Sequence, residues 1–242
     1  MSLSDPRKVI EDVFVSAVDP GVLDVRGAYL DRLDSEGPGF LEVHLASLPR
    51  KAGRGLVGAG VAVVGDGKVD LSAWRICDLL ASDLLLRVSE TEGLIEKLYF
   101  QGDAEERRMI LRSLPFRTPG PEVLRLMEEA HRTNDEVIFE SGNLDSDLAA
   151  RLLDEDGLNR VVLKCAFLDQ PKERLFGWEE RGNGVLSMML FDFMTERQAA
   201  GRSVWPDTTD FCRLAPGLLR DRVGVEEDPA LRTALDRLLD TI

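Results

Sequence analysis

Strongly polar side chains inside otherwise apolar helical segments are the residues of this sequence best suited to chemistry, and most lie in its C-terminal half. An unpaired charge or amide group is costly to bury, so such residues must pair with one another or face a ligand. Two interpretations stay open: an inter-helical network that fixes how the helices pack, and a ligand-binding cluster whose converging donors favour an anion. The candidate residues are Arg132, Asn134, Asn159, Lys164, Arg181, Asn183, Glu196, Arg197 and Arg202.

Nucleophilic catalysis and zinc binding have little support. The chain holds only two histidines, His44 and His131, and its three cysteines are far apart with no CxxC pair. We assign no catalytic residue, no metal ligand and no cofactor, and we expect reduced, buried cysteines. An alternative is a Mg²⁺-dependent enzyme using carboxylates such as Asp78 and Asp83, although their spacing of five places them on different helix faces. Enzymatic activity stays an open question, with a non-catalytic role favoured.

Two glycine-rich segments resemble nucleotide-binding motifs but lack the context that those motifs need. Residues 53–58 match the pattern GxGxxG, yet the residues before them do not read as a strand. Residues 65–68 lack the upstream glycine of a P-loop, because Ala62 stands at that position. We expect a plain tight turn at 65–68 and no dinucleotide site.

Composition narrows the classes of partner. The chain has 242 residues, 44% of them hydrophobic, and a formal net charge of -14. This acidic balance argues against nucleic-acid binding and against docking to an anionic membrane leaflet. No apolar window is long enough for a transmembrane helix, and the N-terminus lacks the features of a secretory signal. We therefore expect a cytoplasmic protein without a direct membrane span.

Hydrophobic spacing predicts an all-α fold of roughly ten helices in a single domain, residues 1–242, with irregular helix-pair stacking as an open possibility. One helix should run from Ser72 to about Val88, and a long one from Pro121 to about Glu140. The long helix would place residues 132–134 at its middle. Another should cover residues 207–219. The segment 61–64 fits either a strand or a helical turn.

Several blocks of the sequence, taken in order, resemble one bacterial family. Arg132-Thr133-Asn134 is followed by Val-Ile-Phe at 137–139, and Asn159 is followed by Val-Leu-Lys-Cys-Ala-Phe at 162–167. The order and spacing of these blocks are similar to the EboA family. Further blocks that carry the resemblance are residues 49–54, 114–116, 181–183 with 189–190, and 196–202 with Val204 and Pro206.

A helical protein without a catalytic signature fits a carrier, chaperone or scaffold. Genes of this family lie in biosynthetic clusters with a UbiA-type membrane prenyltransferase, and those clusters are linked to moving a lipophilic or aromatic metabolite precursor. The expected partners are a small hydrophobic or anionic metabolite and that prenyltransferase or other cluster-encoded proteins. Thr195 stands where the family has a histidine, so a mechanism built on that histidine is not expected. The alternative hypothesis is a metal-dependent enzyme acting on a phosphorylated or prenyl precursor.

Overall fold

The helices of this chain form two compact units, residues 1–152 and 153–242. The structure, a computed structural model, describes residues 4–88, 93–227 and 229–240. Each unit has its own buried apolar core. The sequence-based expectation of a single domain stays a prediction.

Helix starts in the first unit follow the capping chemistry of the sequence. Asp5 accepts a hydrogen bond from the Arg7 N–H ahead of a helix that has proline at its first position. Asp103 and Glu106 form a reciprocal capping box. The helices are α1 Pro6–Ala17, α2 Pro20–Glu36, α3 Gly39–His44, α4 Leu48–Lys51, α5 Ile76–Arg87, α6 Leu94–Gln101, α7 Ala104–Ser113, α8 Pro121–Arg132, α9 Glu136–Asn143 and α10 Leu148–Leu152, with 3₁₀ turns at Leu45–Ser47 and Leu114–Phe116.

Helix α5 is the centre of the first unit, because residues 77–85 are buried around its whole circumference. It packs most extensively against α7. The fully buried Trp74 precedes it and makes an edge-to-face contact with Phe116 at 5.5 Å. The helix begins at Ile76, later than the Ser72 start predicted from sequence. Arg75 is extended, and its N–H donates to the Asp78 carboxylate, which fixes the first turn there.

A two-stranded antiparallel sheet corrects the all-α prediction. Strand β1, Val61–Val64, pairs with β2, Gly67–Asp70, through a two-residue loop whose Gly65 has φ 62°. A positive φ favours glycine and is common in tight hairpins. The loop confirms the turn expected at 65–68, and the β-branched segment 61–64 takes the strand alternative.

The predicted long helix from Pro121 to Glu140 is two helices, so the expectation that residues 132–134 lie mid-helix is wrong. Thr133 has an extended backbone and ends α8. Its hydroxyl accepts a hydrogen bond from the Asp135 N–H, and Asp135 caps α9 by accepting from the Ile138 N–H. Local hydrogen bonding therefore interrupts a helical apolar pattern.

All regular elements among the described residues of the second unit are helices. Its core is formed by Phe191, Met194, Cys212, Leu219, Val223 and Leu235. The helix predicted over 207–219 is two helices, because Pro216 begins a new one. The helices are α11 Glu155–Phe167, α12 Trp178–Arg181, α13 Gly184–Ala199, α14 Thr208–Cys212, α15 Pro216–Gly224 and α16 Pro229–Leu239, with a 3₁₀ turn at Lys172–Arg174.

These divisions also correct the helix number, since the described residues alone form more helices than the roughly ten predicted. Proline and local caps split two apolar patterns, and short helical turns occur between the long elements. Within the described ranges, every helix is too short or too polar to span a lipid bilayer.

Close packing of α9 gives a stability prediction at Gly142. A methyl group there would lie 2.5 Å from Ala130 Cβ and 3.3 Å from Leu111 Cδ2. We expect Gly142→Ala to lower the free energy of unfolding by about 1–3 kcal/mol through overpacking. Chemical denaturation measures the change. The control is Gly27→Ala in α2, where the methyl would meet nothing within 4 Å. An equal effect of both substitutions would contradict the packing argument.

Candidate functional site

The polar residues predicted as a site divide between the two units. Arg132 and Asn134 belong to the first, and the other seven belong to the second. Arg132 ends α8 with an exposed side chain that pairs with Glu128 and Glu129. Asn134 is exposed in the break before α9.

One pair from the predicted set is brought together in the second unit. Asn159 is 2% exposed on α11, and its amide exchanges hydrogen bonds with the amide of Asn183 at 3.0 and 3.3 Å. Asn183 also caps α13 by accepting from the Leu186 N–H. Arg181, beside it in the chain, donates to the Leu153 carbonyl at 3.1 Å. These contacts join the start of α13 to α11 and hold the end of α12 against Leu153.

The remaining predicted residues lie apart from that pair. Arg197 donates to the Ser203 carbonyl at 2.7 Å and closes the turn after α13. Glu196 and Arg202 are exposed. Lys164 is half-buried on α11, and burial lowers the pKa of its ammonium group. A shared ligand-binding role for the whole set stays a prediction.

A buried network of charges in the first unit was missed from the sequence. Asp78 on α5 and Arg108 on α7 form an ion pair of 2.6 Å, with Asp78 fully buried and the Arg108 side chain 6% exposed. On the same face of α7, Arg112 pairs with Asp145 at 2.9 Å. Burial raises the pKa of the Asp78 carboxyl, while Arg108 opposes that shift. The sequence signal was an aspartate inside the apolar run 76–86, together with arginines four apart at 108 and 112.

The second aspartate of α5 is also engaged by arginines. Asp83 is fully buried and accepts from Arg26 Nε at 2.7 Å and from Arg87 Nε at 3.3 Å. Asp78 and Asp83, the carboxylates weighed as magnesium ligands, therefore both serve ion pairs. No group of three or more His, Cys, Asp or Glu able to hold a metal occurs among the described residues.

The three cysteines are buried and form no disulfide, as predicted. Burial raises the pKa of Cys212 to about 12 and also raises that of Cys77. Thiolate is the nucleophilic form of cysteine, so these two thiols are poorly suited to nucleophilic chemistry.

The best-supported candidate site is an open cleft of about 460 Å³ in the first unit. It forms where α6 and α8 end and where α7 and α9 begin. Two arginines and two aromatic residues line it beside three carboxylates. The lining residues used below are Tyr99, Phe100, Asp103, Arg107, Glu129, Arg132, Thr133 and Asp135. Of the predicted set, only Arg132 lines this cleft.

The aromatic wall of the cleft is held in place by α7. Arg107 donates from Nε to the Tyr99 carbonyl at 3.1 Å, and its guanidinium carbon lies 5.6 Å from the Tyr99 ring centroid. Phe100 meets Tyr99 edge-to-face at 5.3 Å and is 51% exposed. The cleft thus combines an accessible ring, a phenol and guanidinium groups, which can bind a planar molecule with polar substituents.

The buried pair predicts a large and pH-dependent effect of Arg108→Met. Removing one partner leaves Asp78 as an uncompensated buried charge, so we expect a loss of about 3–5 kcal/mol in unfolding free energy at pH 7. The pKa of Asp78 should rise further above its unfolded value, and a carboxyl with a raised pKa destabilises the fold only where it ionises. The deficit should therefore be smaller at pH 4 than at pH 7, as measured by urea denaturation at both values.

The control for that experiment is Arg125→Met, because Arg125 pairs with Glu96 on the surface and is 56% exposed. Exposed pairs contribute about 0–1 kcal/mol. A similar loss in both variants, or a deficit for Arg108→Met that grows at low pH, would contradict the buried-pair account.

The amide pair of the second unit predicts that two asparagines of the candidate set, Asn183 and Asn134, differ in their contribution to stability. Asn183→Ala removes a helix cap and the partner of Asn159, so we expect a loss of about 1–3 kcal/mol in unfolding free energy. The exposed Asn134→Ala should change it by less than about 0.5 kcal/mol. Thermal and urea unfolding measure both. Equal effects would show that the amide pair has no structural importance.

Comparison with known proteins identifies the family. A family model described as "Metabolite traffic protein EboA" matches residues 73–212, which is more than half of the chain. This region runs from the residues just before α5 to the end of α14 and includes the cleft. Comparison with curated proteins gives no match, and comparison with solved structures gives none either. The family match confirms the resemblance found in the sequence: the chain belongs to the EboA family.

Proposed function

We propose that this protein is a non-catalytic metabolite-handling protein that binds a small lipophilic or aromatic precursor in the cleft beside Phe100. Membership of a family described by metabolite traffic supports the metabolite-handling role. The observation that carries the site assignment is the half-exposed Phe100 ring in a cleft within the family-matched region.

The size and lining of the cleft suit a small molecule. Its volume of about 460 Å³ lies within the range usual for ligand sites. An exposed aromatic ring can stack on a planar ligand, and the surrounding polar groups can fix its orientation. Thr133 and Arg132, which belong to the family-like motif 132–134, form part of the same wall.

A non-catalytic role is supported by where the reactive side chains lie. The carboxylates of Asp78 and Asp83 are buried in ion pairs with arginines. Cys212 is buried with a raised pKa. His44 packs on Phe40 at 4.5 Å and contacts Arg32 through Nε2. Each of these groups has a structural role, and none lines the cleft.

Within this proposal the bound precursor is passed on at the inner membrane face. The protein would hold it in the cytoplasm and deliver it to a UbiA-type prenyltransferase or another protein of the same gene cluster. Contact of an apolar ring with Phe100 would remove part of the ring's surface from water until delivery.

Binding of naphthalene probes tests the proposed site. We would titrate the full chain by calorimetry with 2-naphthoate, 2-naphthamide and 2-naphthylmethylammonium, which share one ring system. At least one should bind with a Kd below about 1 mM, a usual upper limit for small-molecule recognition. Phe100→Ala should weaken that probe by about 3–10-fold, because it removes an aromatic contact.

Phe167→Ala is the matched control, since Phe167 is 66% exposed on α11 and lies outside the cleft. It should leave the affinity unchanged. Absence of binding by all three probes, or equal weakening by both substitutions, would refute the cleft as the metabolite site.

A further inference from the structure

We infer that the ligand of this cleft is an aromatic monocarboxylate whose carboxylate pairs with Arg107 while its ring contacts Phe100. The inference rests on the proposed function and adds the chemical class of the ligand and the residue that selects it. It uses a guanidinium that the sequence analysis did not single out.

Arg107 is a cation without a carboxylate partner among the described residues. Its two hydrogen bonds go to main-chain carbonyls: Nε donates to Tyr99, and Nη2 donates to Phe100 at 3.4 Å. Nη1 makes no hydrogen bond with any residue in the described ranges. The side chain is half-buried and lines the cleft. A guanidinium held in this way keeps donors for a planar carboxylate.

The other cation of the cleft differs, because its charge is already matched. Arg132 lies 2.7 Å from Glu129 and 3.6 Å from Glu128, and its side chain is 64% exposed. An anion at Arg132 would have to compete with both glutamates. Arg107 is therefore the cation that an acidic ligand would reach at lower cost.

The carboxylates that line the cleft have donors of their own. Asp103 accepts from the Glu106 N–H at 2.9 Å, and Asp135 accepts from the Ile138 N–H at 3.2 Å. Glu129 accepts from Arg132. Each of these carboxylates therefore already accepts a hydrogen bond within the chain, whereas Arg107 makes no ion pair with a described residue.

Tyr99 supplies a second donor in the cleft. It lines the cleft, and its hydroxyl makes no hydrogen bond with a described residue, so the O–H can donate to a ligand. Burial raises its pKa, so it remains a neutral donor at pH 7. The phenol and the guanidinium together offer two donor groups to one acidic group.

The charge count favours a carboxylate over a phosphate. Arg107 and Arg132 face Asp103, Glu129 and Asp135, so the lining carries a net charge of 2 − 3 = −1. The guanidinium of Arg107 can pair with one carboxylate, and each further negative charge on the ligand would meet this net negative lining. A phosphate monoester would bring nearly two negative charges into an acidic surround, which would repel it.

The three naphthalene probes separate this inference from the proposed function. They share the ring that would contact Phe100 and differ in head-group charge. In the wild-type chain we expect 2-naphthoate to bind about 10-fold or more tighter than 2-naphthamide, the usual strength of a charge-assisted contact. The ammonium probe should bind weakest. Phenyl phosphate compared with benzoate tests the preference for a monoanion.

Variants of the two donors, Arg107 and Tyr99, test which side chain causes the preference for the acidic probe. Arg107→Gln should reduce the naphthoate-to-naphthamide preference to about 1–2-fold, the level left when a charged contact is lost, whereas Arg107→Lys should retain part of it. Tyr99→Phe should weaken 2-naphthoate more than the ammonium probe. Arg125→Gln is the control, since that arginine lies outside the cleft and pairs with Glu96. Circular dichroism melting verifies that each variant is folded.

The outcomes are distinct. Loss of the acid preference in folded Arg107→Gln, with Arg125→Gln unchanged, supports the inference. Equal binding of all three probes, each weakened by Phe100→Ala, overturns it and leaves the proposed function intact. Tightest binding of the ammonium probe or of phenyl phosphate overturns it too. Absence of any binding removes both proposals.

Discussion

The ion pair between Asp78 and Arg108 is the contact on which the arrangement of the first unit depends. Two charges lie 2.6 Å apart in an interior that water scarcely reaches. Burying either charge alone would cost several kcal/mol, so α5 and α7 must approach each other in one rotational setting. Arg112, one turn further along α7, repeats this requirement through Asp145. The two ion pairs therefore fix the rotation of α7 about its own axis. A hydrophobic contact would not do so, because it tolerates rotation.

This constraint extends to the surface of the unit. Successive residues of an α-helix are separated by about 100° around the axis, so Arg107 points away from the buried face that holds Arg108. Once the interior pairs set the rotation of α7, Arg107 lies over Tyr99 and at the wall of the cleft. The buried charge of Arg108 and the charge of Arg107, which we propose binds the ligand, are thus adjacent in sequence and lie on one helix.

Sequence reasoning predicted the helical character and several helix starts because caps such as Asp103 and the proline at 121 act locally. It failed at Thr133 because Ala130 and Ile138 keep helical spacing across the break, and apolar periodicity carries no information about backbone hydrogen bonds. The candidate site was harder to predict. Arg132 stood out through its motif, whereas Arg107 and Tyr99 resemble ordinary helix residues until the ends of four helices bring them to one cleft.

The reactivity of the three buried cysteines can report local unfolding of this protein. A thiol with a pKa near 12, as at Cys212, is almost wholly protonated at neutral pH and shielded from reagents. Its alkylation must therefore wait for a fluctuation that exposes it. Cys77 reports on the first unit, while Cys165 and Cys212 report on the second. The rates at which the native cysteines are alkylated thus distinguish local unfolding of one unit from that of the other, without an introduced label.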